Sequence, residues 1–195
     1  EISPLDCLDA LEIRISQVES KVNALPTLCF DRARAHARAL MKKPMGERGL
    51  LAGLPVPIKD LNDVAGVRST QGSPIYADRI APTSDIMVTH LEKNGAIVYA
   101  MSNTPEFGAG ANTFNEVFGR TLNPWNTARS AAGSSGGAAV ALATGTAWLA
   151  HGSDLGGSLR NPASFCVVVG AGRVVQRVAS RSAAARSPRW CAPPP

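Results

Sequence analysis

Apolar residues open the chain at helical spacing: Leu5, Leu8, Leu11, Ile15, Val18 and Val22 follow one another at steps of 3, 3, 4, 3 and 4. That spacing gathers them on one face of an α-helix and leaves Asp9, Glu12, Glu19 and Lys21 mostly outside. Ser3 and Pro4 supply the start, since a serine hydroxyl accepts from a bare N–H of the first turn and proline needs no donor there. A second helix, rich in Ala and Arg, is predicted over residues 31–41. Both are read as packing elements.

Pro44, Gly46 and Gly49 break the pattern, so residues 42–52 are read as a loop. In Leu54-Pro-Val-Pro-Ile-Lys59-Asp60 the period becomes two, with Val56 and Ile58 facing one way and Lys59 the other. Pro55 and Pro57 donate no ladder hydrogen bonds, which makes this a short, edge-like strand. Residues 66–81 carry turn residues and are expected to loop over the surface. Thr83-Ser84-Asp85 caps a helix containing Ile86, Val88 and Leu91, which Asn94-Gly95 closes. Ala96-Ile-Val-Tyr-Ala-Met101 then reads as a buried strand. Helix, glycine and apolar strand in succession is the alternation of a layered α/β domain. Residues 102–126 are polar and rich in Gly and Asn, a loop expected near a site. The small apolar residues 138–144 form one more helix, opened at Ser135 or Gly136. No internal repeat is present.

Composition narrows this picture. At 195 residues, 45% hydrophobic and 18% charged, the chain can bury one core, as a domain or as a domain with a fragment. No apolar run is long enough for a bilayer and no leader opens the chain, so a soluble, cytoplasmic protein with no membrane partner is expected. The first residue is Glu1 rather than Met, so the true start is expected upstream. Cys7, Cys29, Cys166 and Cys191 are scattered without a CxxC pair, which argues for reduced thiols over a disulfide frame or a zinc site. The net charge of +5 is local: residues 1–166 hold 15 Lys and Arg against 15 Asp and Glu. Arg173, Arg177, Arg181, Arg186 and Arg189 meet no acid in the last 29 residues. The balanced body offers no phosphate-binding face, so direct nucleic-acid binding is not expected.

Chemistry concentrates in residues 129–162. Two glycine-serine turns, Gly133-Ser134-Ser135-Gly136-Gly137 and Gly152-Ser153-Asp154-Leu155-Gly156-Gly157-Ser158, flank the small-residue helix. Glycine there lets backbone approach a ligand closely, and the serines place hydroxyls beside bare N–H groups. Acyl transfer asks for that set: a nucleophile, a proton carrier and donors aimed at a developing oxyanion. The base is lacking, and its obvious source is Lys59. A free lysine, with a pKa of about 10.4, is protonated at neutral pH, but burial among apolar strands lowers that value. Two other motifs fail. Gly133-x-Ser135-x-Gly137 fits a nucleophile elbow, which wants an acid and then a histidine, whereas His151 here precedes Asp154 and lies too close to it. No lysine follows the glycines as a phosphate-binding GxxxxGK[ST] loop requires. His151 lacks a suitably spaced carboxylate and is read as incidental; Asp60 points away from Lys59.

The second turn continues Leu159-Arg160-Asn161-Pro162-Ala163, and with the first it resembles the amidase signature family. Gly53-Leu-Pro-Val-Pro-Ile-Lys59-Asp60 is similar to that family's lysine motif. Asn103-Thr-Pro-Glu-Phe107 and Gly119-Arg-Thr-Leu-Asn-Pro-Trp-Asn126 match its connecting segments, so the likeness covers roughly residues 3–166. The resemblance implies an α/β class protein with a layered α/β/α fold and a mixed sheet, here incomplete because the C-terminal part is missing. It implies an amidase that converts a carboxylic amide to an acid and ammonia or an amine through a seryl acyl-enzyme. Ser158 would be the nucleophile, Ser134, entered through a cis peptide bond, the relay, and Lys59 the base. The N–H groups of Leu155, Gly156 and Gly157 would hold the oxyanion. Read from the residues themselves, Ser135 is expected to cap the helix, and Asp154 and Arg160 to orient the turn. The implied partner is a small-molecule amide; no metal and no other cofactor is called for, and full-length family members can form homodimers. Two alternatives stand beside this reading. One is the A subunit of a glutamyl-tRNA(Gln)/aspartyl-tRNA(Asn) amidotransferase, which needs partner subunits; the other is a truncated, non-catalytic fragment.

The likeness stops after Phe165-Cys166. Where the family continues Gly-Val-Val-Gly-Leu-Lys-Pro-Thr, this chain has Val167-Val-Val-Gly170-Ala-Gly-Arg-Val and then Arg, Ala, Ser and Pro without caps or periodicity. Residues 1–166 are therefore read as the N-terminal part of the domain, and residues 167–195 as an aberrant tail, disordered or out of frame.

Overall fold

In the computed structural model, which describes residues 2–172, helix α1 (Pro4–Val22) begins at a capping box. Ser3 Oγ accepts from Asp6 N–H at 3.2 Å, and the Asp6 carboxylate accepts from Ser3 N–H at 2.8 Å. The apolar face read from the spacing is buried at Leu8, Leu11, Ile15 and Val22. Helix α2 (Phe30–Met41) packs on it through Ala33 and Ala37, whose small side chains let the two backbones approach. Arg34 ties the pair on its outer side by bonding both Asp9 and Glu12. The part of the expected aberrant tail from residue 173 onward lies outside the described residues.

Strand β3 (Ile97–Ser102) is the centre of a three-stranded mixed sheet. β1 (Thr27–Leu28) lies antiparallel on one side and β2 (Pro55–Lys59) parallel on the other. The side chains of β3 divide between two cores. Ile97 and Tyr99 join Leu8, Leu11 and Phe30, while Val98 and Met101 join Val56, Ile58 and Val88 on the opposite face. Helices therefore cover both faces, with α1, α2 and α4 (Gly136–Ala143) on one and α3 (Ile86–Lys93) on the other. That is the layered α/β/α arrangement the family resemblance implies, within the α/β class the alternation predicts. β2 lies at the sheet's edge, where Pro55 and Pro57 cost no ladder bonds, and its register shifts between Val56 and Ile58.

Several loops differ from their sequence reading. Residues 66–81 do not simply cross the surface, because Ser69, Thr70 and Ser73 are buried. The cause is Asp60: its buried carboxylate accepts from Thr70 N–H at 2.9 Å and from Thr70 Oγ1 at 2.6 Å, drawing the loop inward. Residues 102–126 hold a small hairpin of β4 (Phe114–Asn115) and β5 (Gly119–Arg120) over a buried amide network. There Asn115 Nδ2 donates to Asn103 Oδ1 and Thr104 O at 2.7 Å each. After the second turn α5 (Arg160–Cys166) forms, an element the sequence reading does not address, and Ser158 sits on the turn just ahead of it. Between α4 and α5 runs an apolar groove lined by Leu142, Trp148, Leu149, Leu159, Val168 and Val169. Trp148 is 52% exposed and Val169 89%. Among the described residues no helix is long and apolar enough to cross a membrane.

Candidate active site

The edge strand β2 ends at Lys59, and the alternation that sends Val56 and Ile58 into one core turns the Lys59 amine toward the start of α4. Lys59 is 0% exposed. Its Nζ donates to Ser134 Oγ at 2.7 Å and to Ser153 Oγ at 3.0 Å. Burial pushes the amine's pKa down from 10.5 to about 8, against a smaller opposite pull from the Asp154 carboxylate. The amine can therefore be neutral at mildly alkaline pH, as a base must be.

The first turn is held from several sides. The Gly133–Ser134 peptide is cis. Thr113 donates to the Ala132 carbonyl through both N–H (3.1 Å) and Oγ1 (2.9 Å), and its Oγ1 accepts from Gly136 N–H at 3.0 Å. Glycine is required where α4 meets β3: a methyl on Gly137 would lie 2.4 Å from Asn103 N and 2.6 Å from the Ala24 carbonyl oxygen. Ser135 occupies the N-cap position of α4 but does not cap it, which corrects the sequence reading. Its Oγ accepts from Ser153 N–H and donates to the Ser153 carbonyl, at 3.2 Å each, so it ties the two turns together.

The second turn is organised by Asp154. Its carboxylate accepts from Gly157 N–H at 2.6 Å and from the N–H groups of Leu159 and Arg160 at 3.3 Å each. The Arg160 guanidinium adds bonds at 2.8 and 3.1 Å. These donors hold the carboxyl well below the usual range, with the Arg160 side chain the largest cause. The pair orients the turn as expected. The same geometry corrects the oxyanion expectation at Gly157, whose N–H is already given to Asp154. Leu155 and Gly156 keep N–H groups that donate to no other described residue. Gly157 itself has φ +105°, a conformation open to glycine.

Ser158 is brought alongside through its main chain: its carbonyl accepts from Ser135 N–H at 3.0 Å. Its hydroxyl has no hydrogen-bond partner among the described residues. The expected Lys59–Ser134 link is therefore formed, and the Ser134–Ser158 link is not. Ser153 instead takes the second place on the amine. Sequence reasoning missed this, although a hydroxyl one residue before Asp154 was in plain view.

His151, read from the sequence as a neighbour of the site, packs against the Lys59 main chain. Its main-chain N–H donates to Pro57 O at 3.0 Å, and its ring Nδ1 accepts from the Lys59 main-chain N–H at 3.4 Å. Burial, with a smaller contribution from Lys59, lowers its pKa to about 4, so the ring is neutral and faces the Lys59 main chain. Asp60 turns away to Thr70, as read, with burial raising its pKa to about 6. No group of His, Cys, Asp and Glu suited to a metal ion occurs among the described residues.

A family model described as Amidase matches residues 6–188. Among curated relatives, the Glutamyl-tRNA(Gln) amidotransferase A subunit of Alkaliphilus metalliredigens (strain QYMF) is 44% identical over 159 residues, 80% of this chain and 32% of the relative. The chain thus spans about a third of the length of the curated relatives it matches. Among solved structures, 6-aminohexanoate cyclic dimer hydrolase complexed with substrate superposes with a TM-score of 0.76 at 32% identity, over 85% of this chain and 33% of that one. A bacterial aryl acylamidase of the amidase signature enzymes gives a TM-score of 0.75 at 35% identity, over 83% of this chain and 34% of that one.

Proposed function

The chain belongs to the Amidase family, and we propose that within it the chain carries the machinery for hydrolysing a carboxylic amide through an acyl-enzyme on Ser158. The observation that carries this reading is the buried Lys59 amine bonded to Ser134 Oγ at 2.7 Å. A neutral amine there accepts the Ser134 proton while Ser134 takes the proton of Ser158, and the Ser158 oxygen attacks the amide carbon. Serine suits the middle position because its hydroxyl both donates and accepts. The proton then returns through Ser134 to the departing nitrogen, which leaves as ammonia or an amine, and water attacks the ester that remains. Ser158 must rotate its unengaged hydroxyl toward Ser134 for this; such catalytic hydrogen bonds often form only with substrate bound. Leu155 and Gly156 N–H groups are the donors free to meet the oxyanion, each worth about 2.7–4 kcal/mol of barrier. The substrate in this reading is a small-molecule amide, and the setting is the reducing cytoplasm.

The test is hydrolysis of simple aryl and aliphatic amides by the purified chain. Activity lost in Ser158→Ala supports the reading, and activity that survives it removes Ser158 as nucleophile. A second reading, as a portion of an amidotransferase A subunit, draws on the 44% identity to a protein of that name. Under it, ammonia release from glutamine would be measured only after the partner proteins are added.

A further inference from the structure

The Lys59 amine touches two hydroxyls, and the reaction above uses only one. Ser134 is 2% exposed, whereas Ser153 is an exposed residue on the rim of an open cleft shared with Asp154 and Leu155. Lys59 itself is 0% exposed, so water does not reach its nitrogen directly. A buried amine in that position changes charge only through a neighbour able to give and take a proton. The other titratable groups around it are engaged elsewhere. His151 presents Nδ1 to the Lys59 main-chain N–H rather than to Nζ. The Asp60 carboxylate is bonded to Thr70, and Asp154 is bonded to Gly157, Leu159 and Arg160.

We propose that Ser153 is the proton outlet of Lys59, its hydroxyl passing protons between the buried amine and water in the cleft. In the outward step the Lys59 ammonium gives one proton to Ser153 Oγ as the Ser153 O–H gives its own to a cleft water. A neutral amine, an unchanged hydroxyl and one hydronium result, and the inward step is the reverse. The two hydroxyls then play opposite parts: in the neutral state Ser134 donates to the nitrogen lone pair, while an N–H of the amine goes on donating to Ser153. Ser135 fixes the outlet, since its Oγ engages both the N–H and the carbonyl of Ser153 at 3.2 Å. Ser153 acts here through Lys59 and is a positioning residue. Its catalytic consequence rests on Lys59 being the base, but the outlet is a property of the buried amine with or without turnover.

The experiment therefore reads Lys59 itself, by NMR of the purified chain with carbon- and nitrogen-labelled lysine, its signal assigned by its loss in Lys59→Met. The pH is stepped across roughly 6 to 11. Ser153→Ala removes an acceptor that the ammonium uses, so the Lys59 midpoint should fall by about one pH unit, tenfold in proton affinity. Exchange of its amine protons with water should slow. Ser153→Thr keeps the hydroxyl and should restore both values, and Ser153→Cys, a weaker partner, should fall between and serves if the alanine variant fails to fold. An unchanged midpoint, or exchange that stays the same or quickens, overturns the proposal. So does a threonine variant that behaves like alanine, because packing would then explain the effect. The titration is repeated in Ser158→Ala, which separates this outcome from the fate of the acyl-enzyme reading.

Discussion

Residues 133–137 and residues 152–158 are both glycine-serine turns, yet the fold treats them in opposite ways. The first is enclosed: Ser134 and Ser135 are each 2% exposed, with Thr113 and Asn103 bonded to the backbone around them. The second is open, with Leu155 at 102% exposure; the Asp154 carboxylate gathers its N–H groups, and Ser135 ties it to the first turn at Ser153 and Ser158. The contrast separates two tasks. A proton relay works when its hydroxyl is fixed against the base in a dry place, where electrostatic interactions are stronger. A nucleophile has to meet a substrate from outside, and an open turn whose Ser158 hydroxyl is unengaged among the described residues leaves it room to do so.

The contrast can be broken at either turn. The largest effect is expected from Lys59→Met and Ser158→Ala, each of which should lower kcat/KM on a responsive amide by about a thousandfold or more. Stability tells the turns apart next. Gly137→Ala drives a methyl against Asn103 and the Ala24 carbonyl and should cost about 3 kcal/mol in urea melts. Gly156→Ala meets nothing within 4 Å and should stay within about 0.5 kcal/mol. Equal costs at both sites would erase the distinction.

Titration comes third. Lys59 must be neutral to act, so kcat/KM should rise with pH through about 8. Stability should also rise from about 8 toward 10.5, where the folded chain has released a proton that the unfolded chain still binds. Lys59→Met should flatten that slope. Glu19 acts in the other sense at the foot of α1: burial raises its pKa from 4.5 to about 7, so its contribution makes stability fall as pH climbs between those values. The smallest effect belongs to Asp154→Asn. It should quicken hydrogen exchange at the Gly157, Leu159 and Arg160 amides and reduce activity less than about tenfold. Protection over residues 136–143 should be untouched.

Much of this is legible in the residues alone. Ser3-Pro4 and the apolar steps that follow mark α1 to the residue, and the run ending at Met101 marks β3 within one residue at either end. The nearness of Lys59 to Ser134 came from motif order and the family likeness, since nothing in spacing alone joins positions 75 residues apart. What stayed hidden depends on contacts far along the chain or on one carboxylate's choice of donors. α5 has no apolar period in Arg160-Asn-Pro-Ala-Ser-Phe-Cys166, and its first turn is set by Asp154. Asp154 also claims the Gly157 N–H, which the pattern of glycines alone could not disclose. Ser135 looked like a cap because serine commonly is one; the approach of Ser153 gave its hydroxyl other partners.

The groove between α4 and α5 has a practical consequence at the bench. With Trp148, Leu149 and Val169 exposed along it, an environment-sensitive dye that brightens in oily surroundings has a seat on the native chain before any heating. Dye-based melting curves should therefore start bright and flatten the transition. Far-ultraviolet circular dichroism, which follows the helices themselves, is the readout to use for the variants above.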